Sequence, residues 1–177
     1  MRTSDWIRRN CRFAQAGALI SFDFDDTLTR PFWDVENAAW NSRGPNPKTI
    51  DLLKDLHAQG NTIIVVTSRH EDQEHQIARD GGESVHNFIR AHGLPVSQVY
   101  FTNGEPKGPL LSHLGVAHHY DDSLDEIRSA HEHSVGGVRV RHPGDEIVET
   151  GHLPDGASLD QMRFWEWHQR NLKGQKT

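Results

Sequence analysis

The sequence predicts an α/β fold: a three-layer, Rossmann-like parallel sheet with helices on both faces. Three observations point to it. Short apolar runs rich in β-branched residues alternate with stretches of helical period. One run, residues 61–67 (NTIIVVT), is apolar without alternation, as in a strand covered on both faces. Carboxylates, a hydroxyl and a lysine stand at or just past the ends of the expected strands, where open parallel sheets bind their ligands.

Taken in order, the first strand is expected over residues 18–24 (ALISFDF). Residues 29–47 follow as a loop-rich stretch broken by Pro31, Gly44, Pro45 and Pro47. Residues 48–59 set Ile50, Leu52, Leu53 and Leu56 at helical spacing, and Gly60 supplies a left-handed stop. The buried strand 61–67 comes next. Residues 73–92 read as one helix, weakened by Gly81 and Gly82. A strand over 99–102, a short helix over 109–114 and a strand over 117–120 follow. Ser123 with Glu126 three residues later is a capping box opening a helix to residue 132. Residues 137–140 make a fifth strand. Periodicity is lost after Pro143, until a terminal helix over 161–172 that docks through Phe164, Trp165, Trp167 and His168. The 177 residues are expected to form a single domain, with a core over 18–140 and an otherwise irregular extension over 143–177.

Composition narrows the function classes. With 34% hydrophobic and 25% charged residues, the chain suits a folded protein in water, neither disordered nor membrane-spanning. A net charge of −6 disfavours nucleic-acid binding through a broad basic surface, while leaving a local basic groove open. Arg8, Arg9 and Arg12 are too small a run to make one. A single cysteine, Cys11, excludes an intramolecular disulfide and a cysteine-rich zinc module. With neither a signal peptide nor a membrane span read at the N-terminus, a cytoplasmic protein without a membrane partner is expected. The 13 histidines are scattered, and His118, His119, His131 and His133 are read as fold or surface residues.

The chemistry starts at Asp23 and Asp25. Strand alternation leans both carboxylates to one side at the carboxyl end of the first strand. Two close carboxylates repel, and burial makes both costlier to ionise, so a divalent cation with a phosphoryl ligand is the natural offset. The competing reading is a polar loop in which Asp23, Asp25 and Asp26 cap a helix. A calcium loop is rejected, because its sixth position needs glycine and Leu28 stands there. Thr67, Ser68 and Arg69 follow the second strand, Lys107 follows the third, and Asp121 and Asp122 follow the fourth. Each has a plain alternative: helix caps for Thr67 or Ser68 and for the aspartate pair, a solvated charge for Lys107. Their conjunction on one rim is what argues for a site.

These segments resemble the four motifs of the haloacid dehalogenase (HAD) superfamily. Residues 23–27 (DFDDT) match the first motif, Thr67 the second, Lys107 the third, and Asp121 with Asp122 the acidic-pair form of the fourth. The resemblance covers about residues 18–140. It implies a phosphatase, since the dehalogenase members lack the second aspartate. Asp23 would be the nucleophile that forms an aspartyl-phosphate. Asp25 would protonate the leaving oxygen and then activate water. Thr67 would bind a phosphoryl oxygen, and Lys107 would balance the charge. Mg2+ would be held by Asp122, Asp23 and the main-chain carbonyl of Asp25, with Asp121 a ligand or its supporting partner.

Residues 28–62, between the first two motif strands, are too few for a full cap domain, and residues 69–107 leave no room for one. In this superfamily an open site goes with macromolecular substrates or with closure by a partner subunit. Thr67-Ser68-Arg69 also resembles the second motif of polynucleotide 3′-phosphatases, in which the arginine contacts substrate; a solvated Arg69 is the alternative. Phe32, Trp33 and Trp40 either stack on a base or pack over the sheet edge. The expected substrate is therefore a phosphorylated small molecule or nucleic-acid end. A non-catalytic phosphate-binding or interaction module on the same scaffold, and a phosphotransferase, are the alternatives.

Overall fold

The computed structural model describes residues 17–80 and 83–174. Five parallel strands make the central sheet: β1 (Leu19–Phe22), β4 (Thr62–Thr67), β5 (Val96–Phe101), β6 (His118–Asp121) and β7 (Gly136–Arg139), in the order β5-β4-β1-β6-β7. Strand β1 runs beside both β4 and β6, with Phe22 opposite Val65 on one side and Tyr120 on the other. The chain leaves β1 toward β4 on one flank and returns on the other flank as β6. The carboxyl ends of β1 and β6 therefore flank the point where the winding reverses, the place where sheets of this kind open a crevice.

Alternation along the strands divides the core into two layers. Ile20, Phe22, Ile63 and Val65 pack with Leu53 and Leu56 of α1 (Pro47–Ala58) and with Val85 and Phe88 of α3 (Val85–Ala91). Ile64 and Val66 point the other way, toward Leu111 of α4 (Gly108–Leu114) and Ala130 of α5 (Leu124–Glu132). Each core side chain of this size stabilises the fold by roughly 1.5–3 kcal/mol relative to exposure. The same alternation carries Ser21 and then Asp23 to the α4–α5 side.

Several expected elements differ. Strand β1 ends at Phe22, before the aspartates, although Asp23 N still donates to Tyr120 O at 2.8 Å. The single helix expected over 73–92 is two, α2 (Glu71–Arg79) and α3, either side of residues that include Gly81 and Gly82, which lie outside the described residues. Ser84 starts α3, its side chain accepting from Asn87 N. Strand β5 begins three residues earlier than expected, at Val96.

The stretch expected as loop is a β-hairpin, β2 (Thr29–Asp34) with β3 (Ala39–Pro45), forming a separate two-stranded sheet. It is too small to be a full cap. The extension expected to be irregular before its last helix contains α6 (Asp145–Thr150) ahead of α7 (Leu159–Gly174). Trp33, Ile147 and Phe164 form a third buried cluster with Trp40, Leu153, Trp165 and Trp167 beside it. This cluster joins hairpin to extension. Arg8, Arg9, Cys11 and Arg12 lie outside the described residues. Among the described residues no helix is long and apolar enough to cross a membrane.

Candidate active site

The rim of the crevice is built from strand ends. Asp23 follows β1, Asp121 closes β6, and Asp122 comes directly after it. Lys107 immediately precedes α4. Its N–H donates to Glu126 Oε2 of α5 at 2.9 Å, so the glutamate of the expected capping box is drawn to Lys107. Ser123 keeps its half of that box, accepting from Glu126 N at 3.4 Å, while its own N–H goes to Asp121 Oδ1 at 2.9 Å. Gly108 follows Lys107 because α4 and α5 touch there. A Cβ at this position would collide with the Ser129 carbonyl oxygen, its Oγ and His133 Nδ1.

Lys107 Nζ lies 2.6 Å from Asp23 Oδ1 and 2.6 Å from Asp121 Oδ2, and all three residues are buried. Burial opposes the lysine's charge, but the two carboxylates outweigh it and its pKa is raised. Asp121 is the better provided of the two. Burial acts against its charge, yet hydrogen bonds from His119 and Lys107 hold its pKa below the usual carboxylate value. Asp23 moves the other way: burial first, opposed by Lys107 and reinforced by Asp121, pushes its pKa well up.

Behind Asp121 stands a buried relay. His119 Nε2 is 2.9 Å from Asp121 Oδ2, and His119 Nδ1 is 2.7 Å from Ser21 Oγ. Burial lowers the pKa of His119. The neutral ring donates from Nε2 to the carboxylate and accepts the serine hydroxyl at Nδ1. His119, expected as a fold or surface residue, thus orients Asp121. Its sequence signal was alternation: residues 119 and 121 share one strand face.

Asp122 is less well compensated. The Thr27 hydroxyl donates to Asp122 Oδ1 at 3.3 Å and accepts from Asp122 N at 3.2 Å. Burial, then the charges of Asp121 and Asp26, raise the Asp122 pKa to about 7. Asp26 turns through the left-handed region at φ 56° and leaves its Oδ1 buried without a hydrogen-bond partner.

Asp23, Asp121 and Asp122 each offer a carboxylate oxygen, and these atoms all lie within 4.8 Å of one another. Lys107 pairs with two of the three carboxylates and leaves the Asp122 carboxylate without a cation contact among the described residues, and the donors are all oxygen. That set fits a hard divalent cation, which would relieve the strained ionisation of Asp122. This buried triad could bind a metal ion.

The Asp25 carboxylate, expected to lean with Asp23, stands outside the triad, because β1 ends at Phe22 and residues 25–28 form a turn. Arg69 takes both its oxygens, Nε to Oδ2 and Nη2 to Oδ1, each at 2.8 Å. Arg69 also donates from Nη1 to Glu74 Oε1 at 3.1 Å and to Glu83 O at 2.8 Å, and lies over the Phe24 ring at 4.7 Å. Arg69 is therefore an organiser of this rim and not a solvated charge. Thr67 is buried at the end of β4, where its Oγ1 accepts from Arg69 N at 3.3 Å. Ser68 is half-buried, and its carbonyl accepts from Gly104 N at 2.9 Å, tying the loops after β4 and β5 together.

No protein-family model and no curated protein matches the chain. Solved structures align with parts of the chain. A chain from the structure of the Pnkp1/Rnl/Hen1 complex aligns with TM-score 0.50 at 14% identity, over 74% of this chain and 50% of that one. A chain from the Pnkp1/Rnl/Hen1 RNA repair complex aligns with TM-score 0.49 at 16% identity, over 73% and 45%. A hypothetical protein from Xanthomonas campestris aligns with TM-score 0.41 at 21% identity, over 79% and 71%. The chain spans about half the length of the first two. At 14% identity the first of these shows a shared α/β fold alone, which the strand order already defines.

Proposed function

We propose that this protein is a Mg2+-dependent phosphomonoester hydrolase working through an aspartyl-phosphate on Asp23, with a phosphorylated nucleic-acid end as substrate. The observation that carries the reading is the single lysine shared between Asp23 and Asp121, with Asp122 beside them at the crevice. A carboxylate nucleophile must meet a phosphate dianion, and only an excess of positive charge permits that approach. Asp23, Asp122 and the main-chain carbonyl of Asp25 would hold Mg2+. The bound cation would screen the incoming phosphoryl charge.

In the proposed reaction Asp23 attacks phosphorus and the ester P–O bond breaks. The leaving oxygen takes a proton from Asp25, which enters the cycle protonated with one oxygen released from Arg69. Lys107 holds Asp23 in line and offsets charge on the phosphoryl oxygens, and Thr67 and Ser68 donate to those oxygens. Asp25 then takes a proton from water as it attacks phosphorus, and the P–O bond to Asp23 breaks. Inorganic phosphate leaves, Asp23 is again a carboxylate and Asp25 again carries its proton. Asp121, already engaged by Lys107, His119 and Ser123 N, serves as the fixed support of Lys107.

The nucleic-acid end is preferred because the hairpin is too small to close the crevice, and because the shared fold occurs in an RNA repair complex. The test compares wild type and Asp23→Asn on an aryl phosphate and on oligonucleotides with 3′- or 5′-phosphates, with and without Mg2+. Metal-dependent release of phosphate by wild type alone is expected. Full activity in Asp23→Asn would sink the mechanism.

A further inference from the structure

The hairpin has two faces, and they have different chemistry. Trp33 and Trp40 are directly opposite in register and share one face. That face is spent on the protein: Trp33 packs on Phe164 and Trp167, and Trp40 stands edge-on to His142. The expectation that these tryptophans pack rather than stack on a base holds for them. Phe32 lies outside the third cluster.

Alternation puts Phe32 on the other face, opposite Asn41. Arg43, one diagonal step away, sets its guanidinium carbon 5.1 Å over the Phe32 ring. Phe32 is half-buried, while Asn41 and Arg43 are exposed. The guanidinium therefore lies over the half-buried ring, on an exposed residue.

The pair is moored to the crevice. Gly44, next to Arg43, donates from N to Glu83 Oε2 at 3.0 Å. The Glu83 carbonyl accepts from Arg69, which grips Asp25. At its other end the hairpin begins at Thr29, whose Oγ1 accepts from Asp26 N at 3.0 Å. Both ends of the hairpin are thus fixed to residues bordering Asp25.

We propose that Phe32 and Arg43 form a stacking platform for the nucleobase adjoining the phosphorylated end, with Arg43 also meeting the neighbouring backbone phosphate. This rests on the hydrolase reading above. Every base has a π-face, so such a platform accepts a nucleic-acid end without choosing its sequence. Arginine stacks on aromatic planes and pairs with phosphate, two tasks that lysine does not combine. On a chain of net charge −6, a local cation beside the crevice is the complement that a polyanion requires. A phosphopeptide has no nucleobase to stack.

The experiment measures kcat/KM for a 3′-phosphorylated oligonucleotide and for 4-nitrophenyl phosphate in wild type, Phe32→Ala, Arg43→Gln and Phe32→Tyr. The oligonucleotide-to-aryl ratio should fall roughly tenfold in Phe32→Ala and Arg43→Gln. Phe32→Tyr keeps the ring and should keep the ratio. Arg43 is exposed, so its replacement leaves the core intact even if Phe32→Ala folds poorly. An unchanged ratio, or an equal loss on a phosphopeptide, overturns the platform. Should wild type hydrolyse neither ester, the hydrolase reading fails, and anisotropy of a labelled 3′-phosphorylated oligonucleotide still decides. Weaker binding by Phe32→Ala and Arg43→Gln supports the platform, and equal binding overturns it.

Discussion

Arg69 grips Asp25 by a two-pronged contact, Nε to Oδ2 and Nη2 to Oδ1, with both distances 2.8 Å. The same guanidinium reaches Glu74 and the Glu83 carbonyl. It therefore fixes where the Asp25 carboxylate sits before any substrate arrives. Lysine in its place would keep the charge and lose the fork. In Arg69→Lys, kcat on an aryl phosphate should fall by roughly tenfold or more, with KM changed far less. A raised KM at constant kcat would instead assign Arg69 to substrate contact.

Lys107 is the only cation within ion-pairing distance of both Asp23 and Asp121 among the described residues. Removing it leaves the two buried carboxylates without a cation. Breaking a buried pair in this way typically costs about 3–5 kcal/mol. Lys107→Met should therefore lower the melting temperature by on the order of 10 °C, and added Mg2+ should recover part of the loss. A melt identical to wild type would mean that the lysine is not the element holding the two carboxylates.

Gly108 tests the placement of Lys107 without touching its charge. A methyl group there meets the Ser129 carbonyl and His133 across the α4–α5 contact. Overpacking of this kind costs roughly 1–3 kcal/mol. Gly108→Ala should lose both stability and activity, because pushing α4 away from α5 moves Lys107 off Asp23. Ser129→Ala removes only the Oγ, leaving the carbonyl clash, and should restore little.

The parts of the site legible in the sequence are those set by strand ends. Asp23, Lys107 and Asp121 could be placed on one rim because parallel strands deliver their carboxyl ends to the same edge. Arg69 and Asp25 could not be paired, since 44 residues separate them and neither sits in a periodic pattern. The Ser21–His119 contact spans 98 residues and is equally silent. The hairpin was hidden by its own composition. Pro31, Gly44 and Pro45 read as breakers, yet Pro31 sits beside the register shift of a two-stranded sheet, where a missing N–H costs little. Helix α6 has six residues, too few to show a period.

Trp33 makes the junction between hairpin and extension testable. It is buried and packs on Trp40, Phe164 and Trp167, and its N–H donates to Asp160 Oδ1 at 3.4 Å. Truncation of a buried tryptophan costs about 3–5 kcal/mol. Its contacts lie in the third cluster rather than between the sheet and its helices, so the loss should be local. In Trp33→Ala, limited proteolysis should cut within residues 143–174 first, while the sheet core keeps its protection. Uniform loss of protection would show that hairpin, extension and core unfold as one unit.

Asp122 links pH to metal binding. Burial first, then Asp121 and Asp26, raise its pKa to about 7, and burial moves Asp23 in the same direction. An unfolded aspartate titrates near pH 3.9. Between about pH 4 and pH 7 the folded chain therefore holds a proton that the unfolded chain has released, so the stability of the metal-free protein falls as pH rises through that window. A cation at the triad takes the place of that proton. Its affinity should climb with pH up to about 7 and then level off. Excess Mg2+ at about a hundred times its Kd contributes about 2.7 kcal/mol, a melting-temperature gain of roughly 5–10 °C. That gain should be small near pH 5 and full near pH 8. Asp122→Asn should raise the metal-free melting temperature near pH 8, since the uncompensated charge is gone, and should abolish most of the gain from Mg2+. A gain that ignores pH, or that survives in Asp122→Asn, would place the ion away from this triad.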